Sequence, residues 1–374
     1  MNRSAPRSRT IVNLVASPFL GGPERQMLGL AQALAPDDRT VFLGFPEGRA
    51  LHDQAVKLGL ESNLLAATGR PVGKAVSEVT EWLLQLHPDV ILTHGYKSDM
   101  VGLLAARRAG VPHLAISRGW TGATLRVRIN EAIDKLAIRG ARRVVAVSHR
   151  QGERVREAGV RGDRVVVIQN AIDASRFGSP DAAIRREMEE LFPVRPERIV
   201  IAAGRLSPEK GFEDLIRAAR QVVDRMPTTG FLLVGDGALW EDLEEAVQAH
   251  RLEQNFVLAG FRSDMDRLMA NADLFVQSSH TEGMPNVVLE AGACSVPIVA
   301  TAVGGTGEVV EDGRHGRLVP AQRPAELARC ILEVLADPEH ARDMAAEARR
   351  RIVSEFTFPA QAQAYRRLFD ECLP

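Results

Sequence analysis

Cysteine is scarce in this chain, and the three present, Cys294, Cys330 and Cys372, are too scattered for a metal-ligand set or a disulfide framework. A reducing, cytoplasmic setting fits that usage. An excess of charge of one sign is missing as well: 47 Lys and Arg stand against 48 Asp and Glu, a formal net charge of −1. That balance argues against nucleic acid as a partner, which normally needs a strongly basic domain. Long hydrophobic runs are also lacking. The first ten residues, MNRSAPRSRT, are basic, but the apolar stretch after them breaks at Ser17-Pro18 and Gly21-Gly22, which fits neither a signal peptide nor a membrane span. Any membrane contact, such as one with the inner face of a cytoplasmic membrane, would be peripheral. No G-x-G-x-x-G follows the first apolar run with an acidic residue about 20 positions later, which argues against a nicotinamide-dependent oxidoreductase. Internal repeats and low-complexity tracts are absent too.

What is present is a globular composition, 45% hydrophobic and 25% charged, in a chain of 374 residues. That is too long for one ordinary core, so two domains are expected. Continuously apolar runs alternate with longer amphipathic segments: TIVNLVAS, DVILTHG, PHLAISRG and RRVVAVS, then RIVIAAG, GFLLVGD, NFVLAG, DLFVQSS and PIVAT. Strands buried on both faces read this way, which gives an α/β chain of two doubly wound, Rossmann-like domains facing a cleft. The expected bounds are 1–175 for an N-terminal domain and 176–355 for a C-terminal one. A final helix over 356–374 packs back on the first. Ligand sites in such sheets lie at the carboxyl ends of the strands.

In the second half, Ser278-Ser279-His280-Thr281-Glu282-Gly283-Met284-Pro285-Asn286-Val287-Val288-Leu289-Glu290 follows an apolar run and opens a helix. A helix starting near Pro285 exposes backbone N–H groups around Gly283 to Val287, and with the helix dipole these suit a diphosphate. Glu282 and Glu290 flank this start and can accept paired hydroxyl hydrogen bonds from sugar or ribose, although a helix-favouring acid and a solvated one read equally well. A second loop, Gly204-Arg205-Leu206-Ser207-Pro208-Glu209-Lys210-Gly211, brings two cations to a helix start, where the dipole disfavours them unless an anion sits between. Gly235, Gly260 with Phe261, and Gly304 with Gly305 close further strands, each a weak signal by itself.

Taken together, GRLSPEKGFEDLI, LLVGDG and EGMPNVVLEAGACSVPIVATAVGGTGEVV resemble the donor-binding domain of retaining GT-B glycosyltransferases of family 4, the glycosyl transferases group 1. The resemblance implies that Arg205 and Lys210 bind the donor phosphates and that Glu282 and Glu290 are its paired glutamates. It also puts Gly204, Gly235 and Gly283 to Val287 around the donor, and Gly260 with Phe261 near the base. It further implies an acceptor-binding domain over 1–175, a nucleotide-sugar-binding domain over 176–355, and a nucleotide diphosphate sugar as donor, with neither cofactor nor metal. Asp264-Met265-Asp266 mimics a metal-binding DXD but reads better as a helix start, since serine and aspartate are favoured caps.

In the first half, Gly21-Gly22-Pro23-Glu24 resembles the family's glycine loop. His94 ends DVILT, where a histidine faces the crevice of a parallel sheet, and the family places a cleft histidine at this strand end. Arg118 and Trp120, with Lys97, are candidates for acceptor binding, since planar cations and aromatics suit a sugar or a lipid phosphate. Arg126, Arg128, Lys135, Arg139, Arg142 and Arg143 make the next segment basic, a solvated face or a rest on an anionic membrane or acceptor. The expected reaction is sugar transfer with retention, by same-face attack in an ion-pair-like transition state, to a glycan or lipid-linked acceptor. A nucleotide-sugar epimerase and a catalytically silent scaffold are the rival readings.

Overall fold

The computed structural model describes residues 8–68, 71–122 and 124–373, without the side chain of Arg126. The basic start over residues 1–7 and the Arg126 side chain therefore lie outside the described residues. Seven strands form one sheet: β1 Thr10–Val15, β2 Arg39–Gly44, β3 Glu61–Leu64, β4 Val90–His94, β5 His113–Ser117, β6 Arg143–Ala146 and β7 Val165–Val167. Their order is β3-β2-β1-β4-β5-β6-β7. Six more form a second: β8 Arg198–Ala203, β9 Thr229–Val234, β10 Phe256–Leu258, β11 Leu274–Gln277, β12 Ile298–Thr301 and β13 Arg317–Val319. Their order is β10-β9-β8-β11-β12-β13, and every pairing in both sheets is parallel.

The apolar runs explain why. Ile11, Val12, Leu14, Ile91 and Leu92 in the first sheet, and Ile199, Ile201, Phe275 and Val299 in the second, are at most 1% exposed, buried under helices on both faces. Each sheet is doubly wound, so its order reverses between two neighbours, β1 and β4 in the first and β8 and β11 in the second. That reversal splays the loops at the strands' carboxyl ends and opens a crevice there.

Contacts divide the chain into two units, one running to Ala171 and resuming at Phe358, the other spanning Ile172–Thr357. The last helix, Phe358–Cys372, belongs to the first unit, where Tyr365, Leu368 and Phe369 are buried with Ile11, Leu34 and Leu92. Gly29 in the helix Gly22–Leu34 admits the Phe358 ring: a Cβ there would stand 2.1 Å from Phe358 Cζ. Arg366 adds hydrogen bonds to Asp38 Oδ2 at 3.1 Å and to the Leu34 carbonyl at 3.2 Å.

Candidate active site

In the second unit the loops after β8 and β11 flank the reversal point and are stitched together. The Ser278 hydroxyl donates to the Lys210 carbonyl at 3.0 Å, and the His280 backbone N–H donates to the Glu209 carbonyl at 2.8 Å. The His280 ring meets Asp214 Oδ2 at 2.8 Å. Gly211 (φ +62°) makes this possible, because a Cβ there would stand 2.3 Å from the Ser278 carbonyl oxygen.

That stitching sets Lys210 against Glu282. Glu282 Oε1 accepts from Lys210 Nζ at 2.7 Å, from Ser279 Oγ at 2.7 Å and from Gln277 Nε2 at 3.2 Å. The loop after β12 holds the arrangement from behind. Thr301 Oγ1 donates to the Ser279 carbonyl at 2.6 Å, Thr306 Oγ1 to Gln277 Oε1 at 3.3 Å, and the Gly305 N–H to the Gly283 carbonyl at 2.8 Å. Gly304 (φ +54°) lies so close that a Cβ would fall 1.9 Å from the Glu282 carbonyl oxygen.

The helix that follows is Asn286–Ala293, with Pro285 at its cap rather than in its first turn. Asn286 and Val287 open it, half-buried, behind the buried Gly283, Met284 and Pro285. Its first N–H groups have no acceptor within the helix, as at any helix start. Glu290 lies one turn in, partly buried. Arg205, 56% exposed at its side chain, reaches Glu209 Oε1 at 3.1 Å. The anions beside the two cations here are the protein's own carboxylates, Glu209 and Glu282.

Glycines nearby pack loop on loop. A Cβ on Gly235 would stand 1.8 Å from the Gly204 carbonyl oxygen, and the Gly235 N–H donates to the Gly260 carbonyl at 2.9 Å. Phe261 beside them is 66% exposed. Asp264 stands at the N-cap of the helix Met265–Ala270 without a side-chain capping bond, its carboxylate gripped by Arg262, Nε to Oδ1 at 2.8 Å and Nη2 to Oδ2 at 2.8 Å. Among the described residues, no group of three or more His, Cys, Asp or Glu side chains is arranged to hold a metal ion.

In the first unit His94, at the end of β4, meets Asn13 Oδ1 through Nε2 at 3.0 Å and Arg118 Nη2 through Nδ1 at 3.5 Å. Burial, aided by the Arg118 charge, pulls the His94 pKa well below 6.5, so the ring is neutral at pH 7. The Arg118 guanidinium is itself depressed by burial, and its Nε has no hydrogen-bond partner. Both line a small cavity with Asn13, Gln26, Asn170 and Tyr365, whose hydroxyl burial pushes up to about 12. Gly21 caps the helix Gly22–Leu34, its N–H bonded to Glu24 Oε2 at 2.8 Å.

Two other candidates have partners of their own. Trp120 is 5% exposed, packed with Ile138 and Val144, its indole N–H donating to Asp134 Oδ2 at 2.7 Å. Lys97 is paired with Glu47 and lies 4.0 Å over the Phe45 ring. Gln277, Ser279, His280 and Asp214, which no motif in the sequence singles out, position the lysine and the glutamate.

Two family models match this chain: Glycosyltransferase Family 4 over residues 20–176 and Glycosyl transferases group 1 over residues 184–351. Glycogen synthase of Mycobacterium tuberculosis is 29% identical over 318 residues, 84% of this chain and 73% of that protein. An Escherichia coli UDP-Gal:alpha-D-GlcNAc-diphosphoundecaprenol alpha-1,3-galactosyltransferase is 26% identical over 292 residues, 75% of each chain. The crystal structure of Anabaena HepE in complex with UDP and glucose superposes with a TM-score of 0.87 at 23% identity, covering 97% of this chain and 100% of that one. Paired doubly wound parallel sheets of this kind define the GT-B glycosyltransferases. The chain belongs to their family 4, the glycosyl transferases group 1.

Proposed function

We infer that this glycosyltransferase moves a sugar from a nucleotide diphosphate sugar to a hydroxyl of a glycan or lipid-linked acceptor, with retention at the anomeric carbon and without a metal ion. The observation that carries the reading is the Lys210–Glu282 pair, 2.7 Å apart and built by two stitched loops ahead of the Asn286–Ala293 helix. Lysine is a mobile point charge and arginine a planar fork, so Lys210 and the exposed Arg205 can turn from carboxylate to phosphate oxygens. The first-turn amides, among them those of Asn286 and Val287, add fixed donors to the diphosphate. Glu282 and Glu290 then accept hydroxyls of the sugar and the ribose, while Gly260 and Phe261 flank the base.

As the bond from the anomeric carbon to the phosphate oxygen breaks, negative charge grows on the departing diphosphate. Donors already in place there lower the barrier, since they need no reorganisation. The diphosphate oxygen takes the acceptor hydroxyl's proton, and the new bond forms on the face just vacated. His94, neutral beside Arg118, suits a hydrogen bond to a sugar hydroxyl better than pairing with a charge. Arg118 supplies a cation to the acceptor in the first unit.

Two relatives support the choice of substrates. HepE holds UDP and glucose in its structure, and the Escherichia coli enzyme's name specifies a diphosphoundecaprenol acceptor. The test is to incubate the chain with a panel of nucleotide sugars and measure release of nucleoside diphosphate, then to assign the product anomer by NMR. One donor should be consumed faster with acceptor present, chelator should leave the rate unchanged, and the product should keep the donor's anomeric configuration. An inverted product, or a rate abolished by chelator, would contradict the reading.

A further inference from the structure

At the amino ends of β8, β11 and β12, opposite the loops that carry Lys210 and Glu282, the second unit holds a cavity of about 880 Å³. Arg198 begins β8, Ala272 and Asp273 lead into β11, and Val296 and Pro297 lead into β12. The segment over residues 177–180 and the helices Pro324–Ala336 and Pro338–Glu355 complete the wall. Small residues on it, Gly178, Ser179, Ala272 and Ser295, leave the space open. Its volume is that of a small-molecule site, about 300–1,000 Å³. Ligands of doubly wound sheets ordinarily meet the carboxyl ends of the strands, so this cavity lies away from the place where the sugar is transferred.

The charges on the wall do not balance. Arg198, Arg342 and Arg349 line it, against Asp273 as the one carboxylate among the lining residues. That carboxylate is already held: Arg198 Nη1 donates to Oδ1 at 3.2 Å, and Oδ2 accepts from Arg185 Nη1 at 2.6 Å and from the Ile199 N–H at 2.7 Å. Arg342 and Arg349 stand at positions i and i+7 of the helix Pro338–Glu355, about two turns apart on one side. Arg342 Nε donates to the Pro338 carbonyl at 2.9 Å, and Arg349 Nη1 donates to the Ala293 carbonyl. Both acceptors are neutral, and a guanidinium has five N–H donors, so each arginine keeps its charge and further donors for a guest. Beside these cations the wall is apolar, with Val296, Val334 and Leu335 buried beneath it.

We propose that this cavity binds a small phosphorylated molecule, its phosphate bracketed by Arg342 and Arg349 with Arg198 adding charge, and its uncharged ring laid on Val296, Val334 and Leu335. Planar guanidinium forks match phosphate oxygens two at a time, which favours phosphate over a single-point anion. None of these cations belongs to the donor loops, and binding is read without donor or acceptor, so the proposal stands apart from the transfer reaction.

The experiment is calorimetric titration of the full chain with inorganic phosphate, glucose 6-phosphate and AMP, in wild type and in Lys210→Ala/Arg205→Ala, where the donor-loop cations are gone. At least one organic phosphate should bind both proteins, and more tightly than inorganic phosphate because the apolar floor adds contact. The order of the two tells a sugar phosphate from a nucleotide. Adding Arg198→Ala/Arg342→Ala should weaken that binding about tenfold or more. The melting temperature without phosphate should hardly change, since Arg342 is exposed and Asp273 keeps Arg185. No binding by any of the three probes would overturn the proposal, as would organic phosphates that bind no better than inorganic phosphate. Binding that disappears with Lys210 and Arg205 yet ignores Arg198 and Arg342 would overturn it too, while leaving the donor reading in place.

Discussion

Lys210 and Glu282 pair with each other, and Gln277 and Ser279 donate to the same carboxylate oxygen. Removing the lysine leaves the glutamate with two neutral donors, so the fold should tolerate Lys210→Ala better than the reaction does. Turnover should fall about 10²- to 10³-fold, the usual cost of deleting one preorganised donor to developing charge. A steady-state assay beside a melting curve separates the two effects.

Deeper in the first unit, burial and then the Arg107 charge bring His113 down to about 4, and Thr93 Oγ1 lies 2.8 Å from its Nε2. The folded imidazole thus stays neutral where an unfolded one, titrating near ~6.5, takes up a proton. Stability must then rise with pH between those values, and acidification from pH 7 to pH 5 should remove about 2 kcal/mol on this account. His94 acts in the same direction. Asp99 acts in the opposite one, its carboxyl pushed up by burial and by the facing Asp134. His113→Gln isolates its own share: the gap in melting temperature between pH 7 and pH 5 should narrow by roughly 4 °C. An unchanged gap would mean that His113 is protonated in the native state.

At the scale of elements, the glycines at strand ends let loop pack on loop. Gly304→Ala would force a left-handed residue with a Cβ into the Glu282 carbonyl. The glutamate loop must then shift, and turnover should drop about tenfold or more for a displacement near 1 Å, with the melting temperature much less affected. Equal activity in wild type and variant would show that the loop's position is unimportant.

This is also where the sequence was most and least legible. The continuous apolar runs of β1, β4, β8 and β11 announced parallel strands, and the order of glycines, cations and glutamates announced the loops between them. His94 was legible because a strand end faces the crevice whatever its neighbours. Gln277, Ser279, His280 and Asp214 were not, because their roles arise only when the loops after β8, β11 and β12 meet in space. Burial of Trp120 was hidden for the same reason. Its partner Asp134 lies 14 residues on, inside a helix that reads as basic and amphipathic.

At the scale of the whole molecule, each unit owns a complete sheet, but the first unit is finished only by the last helix of the chain. Phe369 is fully buried there, against a core that includes Ile11 and Leu92. Phe369→Ala should cost about 3–5 kcal/mol, read as a lower midpoint in denaturant, and should weaken the first unit before the second. Proteolysis with timed sampling would show which strands become cuttable first. Loss of the second unit first would contradict the assignment of this helix.

The donor reading comes down to phosphate affinity in the second unit. Calorimetric titration of the wild-type chain with UDP, GDP and ADP should give measurable binding to at least one of them, and Lys210→Ala and Arg205→Ala should each weaken it about tenfold or more, the loss expected from a charge-assisted contact. Unchanged affinity in both variants, or no binding of any diphosphate by wild type, would contradict the account.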